Sequence, residues 1–365
     1  MKLSVLQENL TKGLDTVGRA VSTRSTLPVL ANVLLRTTED GRLELAATNL
    51  EVAISCRVGA MISDGGAITL PSRTLTDLVR SLPKERVEFT LNDNTQTVKL
   101  ECARSKTNIK GIDHLEFPLV PEPGDTVATF DSATLKAAIN QVVVAAADND
   151  ARPVLAGVLF ESDGKVVSLA ATDGFRLHLR TFDHVGTAFR VVVPGKALAE
   201  VARLIEGDVN VSLPVHGKQI IFDCGHVTIA SQLIDGQFPS YEPVIPSRWD
   251  TKILLDTQSL RLACRTVDIF AREANNIVTL SVSDGSTKLE AVSSETGDNA
   301  VSLDADFNGK GLDINFNVRY LAQSISAIGT AKTVIQATKP NEPIVIKPES
   351  GGFLAVLMPM QQAGR

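Results

Sequence analysis

Apolar and polar positions alternate through long stretches of this chain, then switch to three- and four-residue spacing, and the switch recurs three times. Pro28 to Glu51, PVLANVLLRTTEDGRLELAATNLE, alternates and turns once at Asp40-Gly41. That pattern predicts two antiparallel strands joined by a hairpin. PVLAGVLFESDGKVVSLAATDGFRL, Pro153 to Leu177, repeats it, and NNIVTLSVSDGSTKLEAVSSETG, Asn275 to Gly297, is a more diverged third version. Thr48, Thr172 and Ser294 fall at one place in the pattern.

Further along each copy a short strand runs into a helix: ITLPSRTLTDLVRSL, VVVPGKALAEVARLI and INFNVRYLAQSISAI. Pro71, Pro194 and Asn317 lie 123 positions apart in turn (194 − 71 and 317 − 194). Chance does not keep such a register. Another helix opens each copy, ENLTKGLDTVGRAV, SATLKAAINQVVVAAA and QSLRLACRTVDIFARE, with apolar residues such as Leu10, Leu14 and Val17 at helical spacing. Alternating strands close the copies, and the first two end in EFPLVP and QFPSYEPVIP. One copy is thus helix, strands, helix and more strands, a packed α+β domain. The expected domains are 1–121, 127–246 and 251–365, separated by the proline-rich segments Val120 to Thr126 and Pro243 to Thr251. Three in tandem predict an elongated or arched chain with helix pairs available to line one side.

At 365 residues, with 44% hydrophobic and 21% charged residues, the chain has enough apolar material for two or three cores. The start, MKLSVLQENLTKGL, has no continuous apolar stretch, and nothing later approaches a membrane span. A cytoplasmic protein is expected. Cys56, Cys102, Cys224 and Cys264 are scattered, with no CxxC pair, so neither a disulfide framework nor a zinc site is predicted. No cofactor is expected.

A net charge of −6 counts against a protein that grips nucleic acid by bulk electrostatics, so any such role must rest on local charge. The second helices supply it. Arg73, Lys196 and Arg319 share one register, and Arg80 and Arg203 follow seven residues after the first two. Leu75, Leu198 and Leu321 hold the register that should face the core, leaving the cations on the exposed side. In the opening helices Lys12 and Arg19 repeat the seven-residue spacing, Lys136 stands alone, and Arg261, Arg265 and Arg272 crowd the third. Acids interrupt the stripe at Asp15, Asp77, Glu200 and Asp268. Spaced cations without reading aromatics predict weak, sequence-independent contact with phosphates.

ATDGFRL (Ala171 to Leu177), DGQFPSYEPVIP (Asp235 to Pro246), NVRYL (Asn317 to Leu321) and LMPM (Leu357 to Met360) resemble the bacterial sliding clamp family, the beta subunit of the replicative DNA polymerase, and the resemblance extends over essentially the whole chain. It implies three tandem copies of a DNA-clamp domain, helices lining the inside and β-sheets outside, in a head-to-tail dimeric ring around duplex DNA. A closed ring is held by topology, so an acidic chain needs little affinity. The positions implied for DNA contact are Arg24, Arg73, Arg80, Asn149, Arg152 and Lys196. Pro153 and Val154 stand where the family often has aromatics.

The same resemblance implies a pocket where the replicative polymerase, the clamp loader and other proteins with a clamp-binding motif insert a short peptide. Its matching residues are Leu155, Thr172, Gly174, Arg176, Leu177, Pro239, Val244, Val356, Met358, Pro359 and Met360. Methionine and other adaptable apolar groups suit a site that takes many related peptides. Pro243 replaces a frequent arginine, and Gln361 to Arg365 extend the tail. The implied dimer joint sets Thr107 and Ile109 of one chain against Ile269 and Phe270 of the other, with Glu295 and Asp298 nearby. Thr107 stands where an aromatic is common, which implies a weaker dimer.

Two other readings compete. An enzyme has little support, since GxSxG, GxxxxGK[ST], HExxH and GxGxxG are all missing, and Asp173 beside Gly174 reads as a structural turn. A three-domain protein-binding scaffold that never meets DNA would show no salt-dependent DNA association.

Overall fold

The computed structural model describes residues 1–22, 26–148, 152–214, 218–283 and 286–360. Among the described residues six α-helices appear where the helical spacing puts them: α1 Gln7–Val17, α2 Ser72–Ser81, α3 Ser132–Val142, α4 Gly195–Leu204, α5 Thr257–Ala271 and α6 Val318–Ser326. Leu75, Leu198 and Leu321 are fully or almost fully buried, while Arg73, Lys196 and Arg319 in the neighbouring register are exposed. The third copy caps its helices with side chains: Asp256 accepts from Ser259 N and Asn317 from Arg319 N. In α2 the corresponding cap is Pro71, whose side chain accepts nothing.

The chain packs as two compact units, Met1–Lys136 with Glu200–Leu233, and Ala137–Ala199 with Ile234–Arg365, so residues of the middle copy fall in both. In the first unit a twelve-stranded sheet runs from the edge strand Ser105–Lys110 through Thr97–Cys102, Arg86–Asn92 and Lys2–Leu6 to Val52–Asp64. It continues through Val227–Gln232, Gln219–Asp223 and Asp208–Ser212 to the edge strand Thr126–Asp131. Asn32–Thr37, Arg42–Thr48 and Ala67–Pro71 branch from it. Arg86–Asn92 shows why these segments are strands: Val87, Phe89 and Leu91 are buried and the residues between them exposed.

The second unit holds a nine-stranded sheet, in order Phe189–Pro194, Gly157–Ser162, Val166–Thr172, Arg176–Asp183, Phe353–Leu357, Ile344–Pro348, Lys332–Ala337, Thr251–Asp256 and Ala305–Gly309. A four-stranded sheet, Gly297–Leu303, Ser286–Ser293, Ile277–Ser283 and Leu312–Asn317, completes it. Residues of α5 and α6, among them Leu260, Val267, Leu321 and Ile325, share one core with strand residues such as Leu280, Leu289 and Phe316.

Three local expectations need correction. The strands expected from Pro28 and Pro153 begin four residues later, because Pro28–Ala31 and Pro153–Ala156 are single 3-10 turns that proline's fixed φ favours. The opening helix of the first copy stops at Val17 and tightens into a 3-10 turn over Gly18–Ala20. In the third copy the residue matching Thr48 and Thr172 is Ser293, not Ser294. Ser293 ends its strand and its Oγ accepts from Glu295 N, as the threonines accept from the residue two places on.

Backbone pairing also joins successive copies. Val52 to Cys56 pair with Ser231 to Val227, and Arg176 to Arg180 pair with Leu357 to Phe353. The proline-rich segments therefore separate copies in sequence that share sheets. Cys56, Cys102 and Cys264 are buried free thiols and Cys224 is a half-buried one. No helix among the described residues is long and apolar enough to cross a membrane.

Beside the second shared pairing lies a buried histidine. His178 Nδ1 sits 2.7 Å from the carbonyl oxygen of Gln141, which can only accept, so Nδ1 carries the proton. Nε2 faces Ser324 Oγ at 2.9 Å, and the ring meets Phe353 edge-on. Burial, with a smaller push from the Arg176 charge, lowers its pKa to about 4 against the Gln141 hydrogen bond, which works the other way. The folded chain therefore holds His178 neutral. Its contribution to stability is present above the ordinary histidine pKa of 6.5 and is lost as pH falls towards about 4. The full loss is about 3 kcal/mol. Urea unfolding followed from pH 7 to pH 4 should show this steepening, and His178→Gln should flatten the curve by that amount; equal slopes for the two proteins would remove His178 as its source.

Candidate functional site

The expected cation stripe is present on the helices, and Arg19, Arg73, Arg80, Arg203 and Arg272 stand within 4 Å of a carboxylate. In the first unit Arg80 Nη2 lies 2.7 Å from Asp15 Oδ1, Arg73 Nε 3.8 Å from Asp77 Oδ2 and Arg19 Nη1 3.2 Å from Glu200 Oε2. These groups are mostly exposed, so water screens the pairs and each contributes little to stability. A phosphate can displace the carboxylate at little cost. Arg203 also bonds Glu200, and Arg272 lies 3.8 Å from Asp268. Arg261 departs from the stripe. Its guanidinium donates to the carbonyls of Ile325, Ser326 and Ile328, so it serves the end of α6 rather than a ligand. Lys196 and Arg319 are exposed, whereas Arg24 and Asn149 lie outside the described residues.

An open cavity of about 210 Å³ in the second unit gathers nine of the eleven residues expected in the peptide pocket: Leu155, Thr172, Gly174, Arg176, Leu177, Pro239, Val244, Val356 and Met358. Backbone pairing builds its floor by setting Leu177 opposite Val356. A tight turn builds its wall. Thr172 Oγ1 donates to Arg176 O at 2.6 Å and accepts from Gly174 N at 3.1 Å, while Asp173 Oδ1 accepts from Phe175 N and Arg176 N. Gly174 has φ 92, a left-handed conformation that glycine adopts without strain. Met358 N donates to Phe175 O at 2.9 Å and tethers the end of the last strand to this turn.

Arg176 lines the cavity with a side chain that is otherwise committed. Its Nε donates to Asp173 Oδ2 at 3.0 Å, its two terminal nitrogens donate to Gln323 Oε1 and Val144 O, and the guanidinium lies 4.4 Å from the centre of the Tyr320 ring. A buried guanidinium with its charge and donors satisfied this way holds neighbouring elements together. It is a positioning residue here.

Three lining residues were not expected. Tyr241 is buried and donates from Oη to Glu161 Oε1 at 3.1 Å; burial and that carboxylate push its pKa up to about 12. It stands inside the QFPSYEPVIP motif as one of only two tyrosines, a signal that could have marked it. Ser240 stands in the same motif but is of a residue type too common to mark it. Arg152, expected on DNA, is exposed and lines this cavity. Pro359 and Met360 do not line it: Met360 N donates to Asn315 O, drawing the tail onto the edge strand Leu312–Asn317. Gln361 to Arg365 lie outside the described residues. The cavity is below the size of a typical small-molecule site and is mainly apolar. It suits one or two apolar side chains of an extended segment.

The four residues expected at a dimer joint behave differently. Thr107 is half-buried on the edge strand Ser105–Lys110, and Ile269 is 55% exposed on α5. Ile109 is only 5% exposed and Phe270 packs against the core of the third copy. A charge at position 109 would therefore disturb its own sheet as well as any joint. Ser105–Lys110 and Gly297–Leu303 are edges of their sheets, with backbone groups open to pairing.

Three family models match the chain in succession: the N-terminal domain of the DNA polymerase III beta subunit over residues 1–121, the central domain over 129–240 and the C-terminal domain over 242–361. A beta sliding clamp of Pseudomonas aeruginosa is 33% identical over 99% of this chain and 100% of its own length. One from Synechococcus elongatus is 31% identical over 95% of this chain and 96% of its own. Among solved structures, the DNA polymerase III subunit beta of Pseudomonas aeruginosa shares 31% identity with a TM-score of 0.92 over 99% of this chain and all of that one. The sliding clamp of Bacillus subtilis has 25% identity and a TM-score of 0.94, covering 99% of each chain.

Proposed function

The chain belongs to the DNA polymerase III beta subunit family, and on that premise we propose that it is a sliding clamp, a processivity factor that encircles duplex DNA and tethers the replicative polymerase. The observation that carries this reading is the succession of all three beta-subunit domains along one chain. Its domains are taken as 1–121, 127–246 and 251–365, and its working form as a head-to-tail homodimer in the cytoplasm. It acts as an accessory subunit without catalytic residues of its own. Arg73, Arg80 and Lys196, with Arg24, Asn149 and Arg152, meet phosphates without reading sequence. A protein that must slide benefits from the exchangeable ion pairs around Arg73 and Arg80. The apolar cavity takes the peptide motif of the polymerase, the clamp loader and other partners. A scaffold that never meets DNA is not favoured by the family.

After loading, the protein should stay on circular DNA and run off linear DNA; equal retention on both would end the clamp reading. Arg73→Glu with Lys196→Glu should reduce the slope of log K against log salt by about 1.8, two contacts' worth, equally on unrelated sequences. A loss confined to some sequences would contradict sliding.

For the joint, the exposed Ile269 is the clean probe. Ile269→Asp places a charge in the proposed contact and should give monomers in sedimentation with unchanged unfolding of the chain. Unchanged dimers would displace the joint from this helix.

Val244 and Met358 are 43% and 40% exposed, so truncating them leaves the core intact. Ordering a peptide offsets much of its burial energy, which sets wild-type affinity near micromolar. Val244→Ala with Met358→Ala should weaken a labelled clamp-binding peptide roughly thirtyfold. Full affinity in the folded double variant would move the peptide elsewhere.

A further inference from the structure

The first junction between copies reproduces the backbone of the cavity-bearing second one. Thr48 Oγ1 accepts from Leu50 N and donates to Val52 O, both at 3.0 Å, as Thr172 does with Gly174 N and Arg176 O. Leu30 N donates to Leu27 O as Leu155 N does to Arg152 O, and Gln232 N donates to Glu51 O as Met358 N does to Phe175 O. Ala53 pairs with Ala230 where Leu177 pairs with Val356. Phe117 packs with Leu30 and Leu34 in the way Phe238 packs with Leu159.

This correspondence fixes what stands at each position around the cavity. Arg152, Gly174 and Ser240 lie on its rim, and their counterparts are Leu27, Leu50 and Leu119, the last placed by Phe117-Pro118 against Phe238-Pro239. The three leucines are 50%, 51% and 93% exposed. The floor changes the opposite way, with Ala53, Ala230 and Gln232 for Leu177, Val356 and Met358. The second junction thus has an apolar floor and a polar rim, whereas the first carries its apolar groups on the rim.

Leu50 adds a second observation. Its φ is 76, the left-handed conformation that Gly174 takes at φ 92. A leucine is strained there, and glycine would relieve it. With half of its surface in water, Leu50 does not recover that strain by packing. Charge then selects the occupant. The linker from Asp113 to Asp125 carries Asp113, Glu116, Glu122 and Asp125 and no lysine or arginine, and Glu51 follows Leu50. Glu51, Glu116 and Glu122 are exposed.

We propose that the first junction is a second docking site, for a linear segment of a partner protein in which an apolar residue pair is flanked by lysines or arginines. The leucine rim holds the apolar pair, and the acidic linker draws the flanking cations and disfavours an acidic segment. The proposal rests on the reading of the second-junction cavity as a peptide site.

The probe is a labelled peptide with a leucine-phenylalanine pair behind a run of lysines, titrated into the full chain. Wild type should bind two per chain. Leu50→Gly with Leu119→Ser should weaken one of them roughly thirtyfold without lowering the thermal midpoint, because glycine suits that backbone. Val244→Ala with Met358→Ala should weaken the other to the same extent. Two full-affinity sites in the Leu50→Gly, Leu119→Ser variant would overturn the proposal, as would equal binding at this junction by a probe with glutamates for lysines. So would higher oligomers of the wild-type chain that this variant abolishes, which would give the leucines to a second copy. A single wild-type site lost only in Val244→Ala, Met358→Ala would overturn it and keep the cavity reading; one lost only in Leu50→Gly, Leu119→Ser would keep it and sink that reading.

Discussion

Each junction between copies is an antiparallel strand pair, and the rest of the architecture hangs on those pairings. Buried peptide groups must find partners, so a strand such as Val52–Asp64 or Arg176–Asp183 cannot end its sheet inside a packed unit. The final strands of the following copies supply the missing edges, Val227–Gln232 for the first and Phe353–Leu357 for the second. Register then decides which side chains meet. A slip of one residue would turn Leu177 and Val356 to opposite faces and erase the cavity floor.

Polar side chains fasten the second junction further. Arg176 donates to Asp173, Gln323 and Val144, and His178 bridges Gln141 and Ser324. Gln141 in turn donates from its side chain to Ala327 O at 2.9 Å. Arg176, His178 and Ser324 are buried, so removing a partner from one of them leaves it unsatisfied at a cost of about 1–3 kcal/mol. At the first junction the matching positions are Val52 and Ile54, which offer no side-chain hydrogen bonds. One backbone plan therefore carries a polar clasp at one junction and an apolar contact at the other.

The charge pattern is divided in a similar way. A net −6 coexists with a cationic stripe because many of the cations stand beside carboxylates on the same or a neighbouring helix. Such a surface attracts phosphates only at short range, since an ion pair has a dipole's rapidly falling field and salt screens what remains over a Debye length of about 10 Å. Weak and exchangeable contact is what movement along DNA requires.

By itself the sequence determined the threefold repeat, the α+β character of each copy, the buried leucine register of the second helices and the exposed cations beside it. The repeat shows as self-similarity at a spacing of 123 residues, and the others follow from local periodicity, which solvent enforces residue by residue. Most of the cavity was legible through motifs, because Thr172, Gly174 and Leu177 lie within one short turn and strand. Tertiary structure decided what periodicity cannot encode. It showed that copies share sheets despite proline-rich linkers, that Ile109 faces its own core, that Arg261 is consumed by the end of α6, and that Met360 leaves the cavity for Asn315. Each of these depends on a partner far away in sequence, and a side chain's role is settled by which distant hydrogen-bond or packing partner the folded chain brings to it.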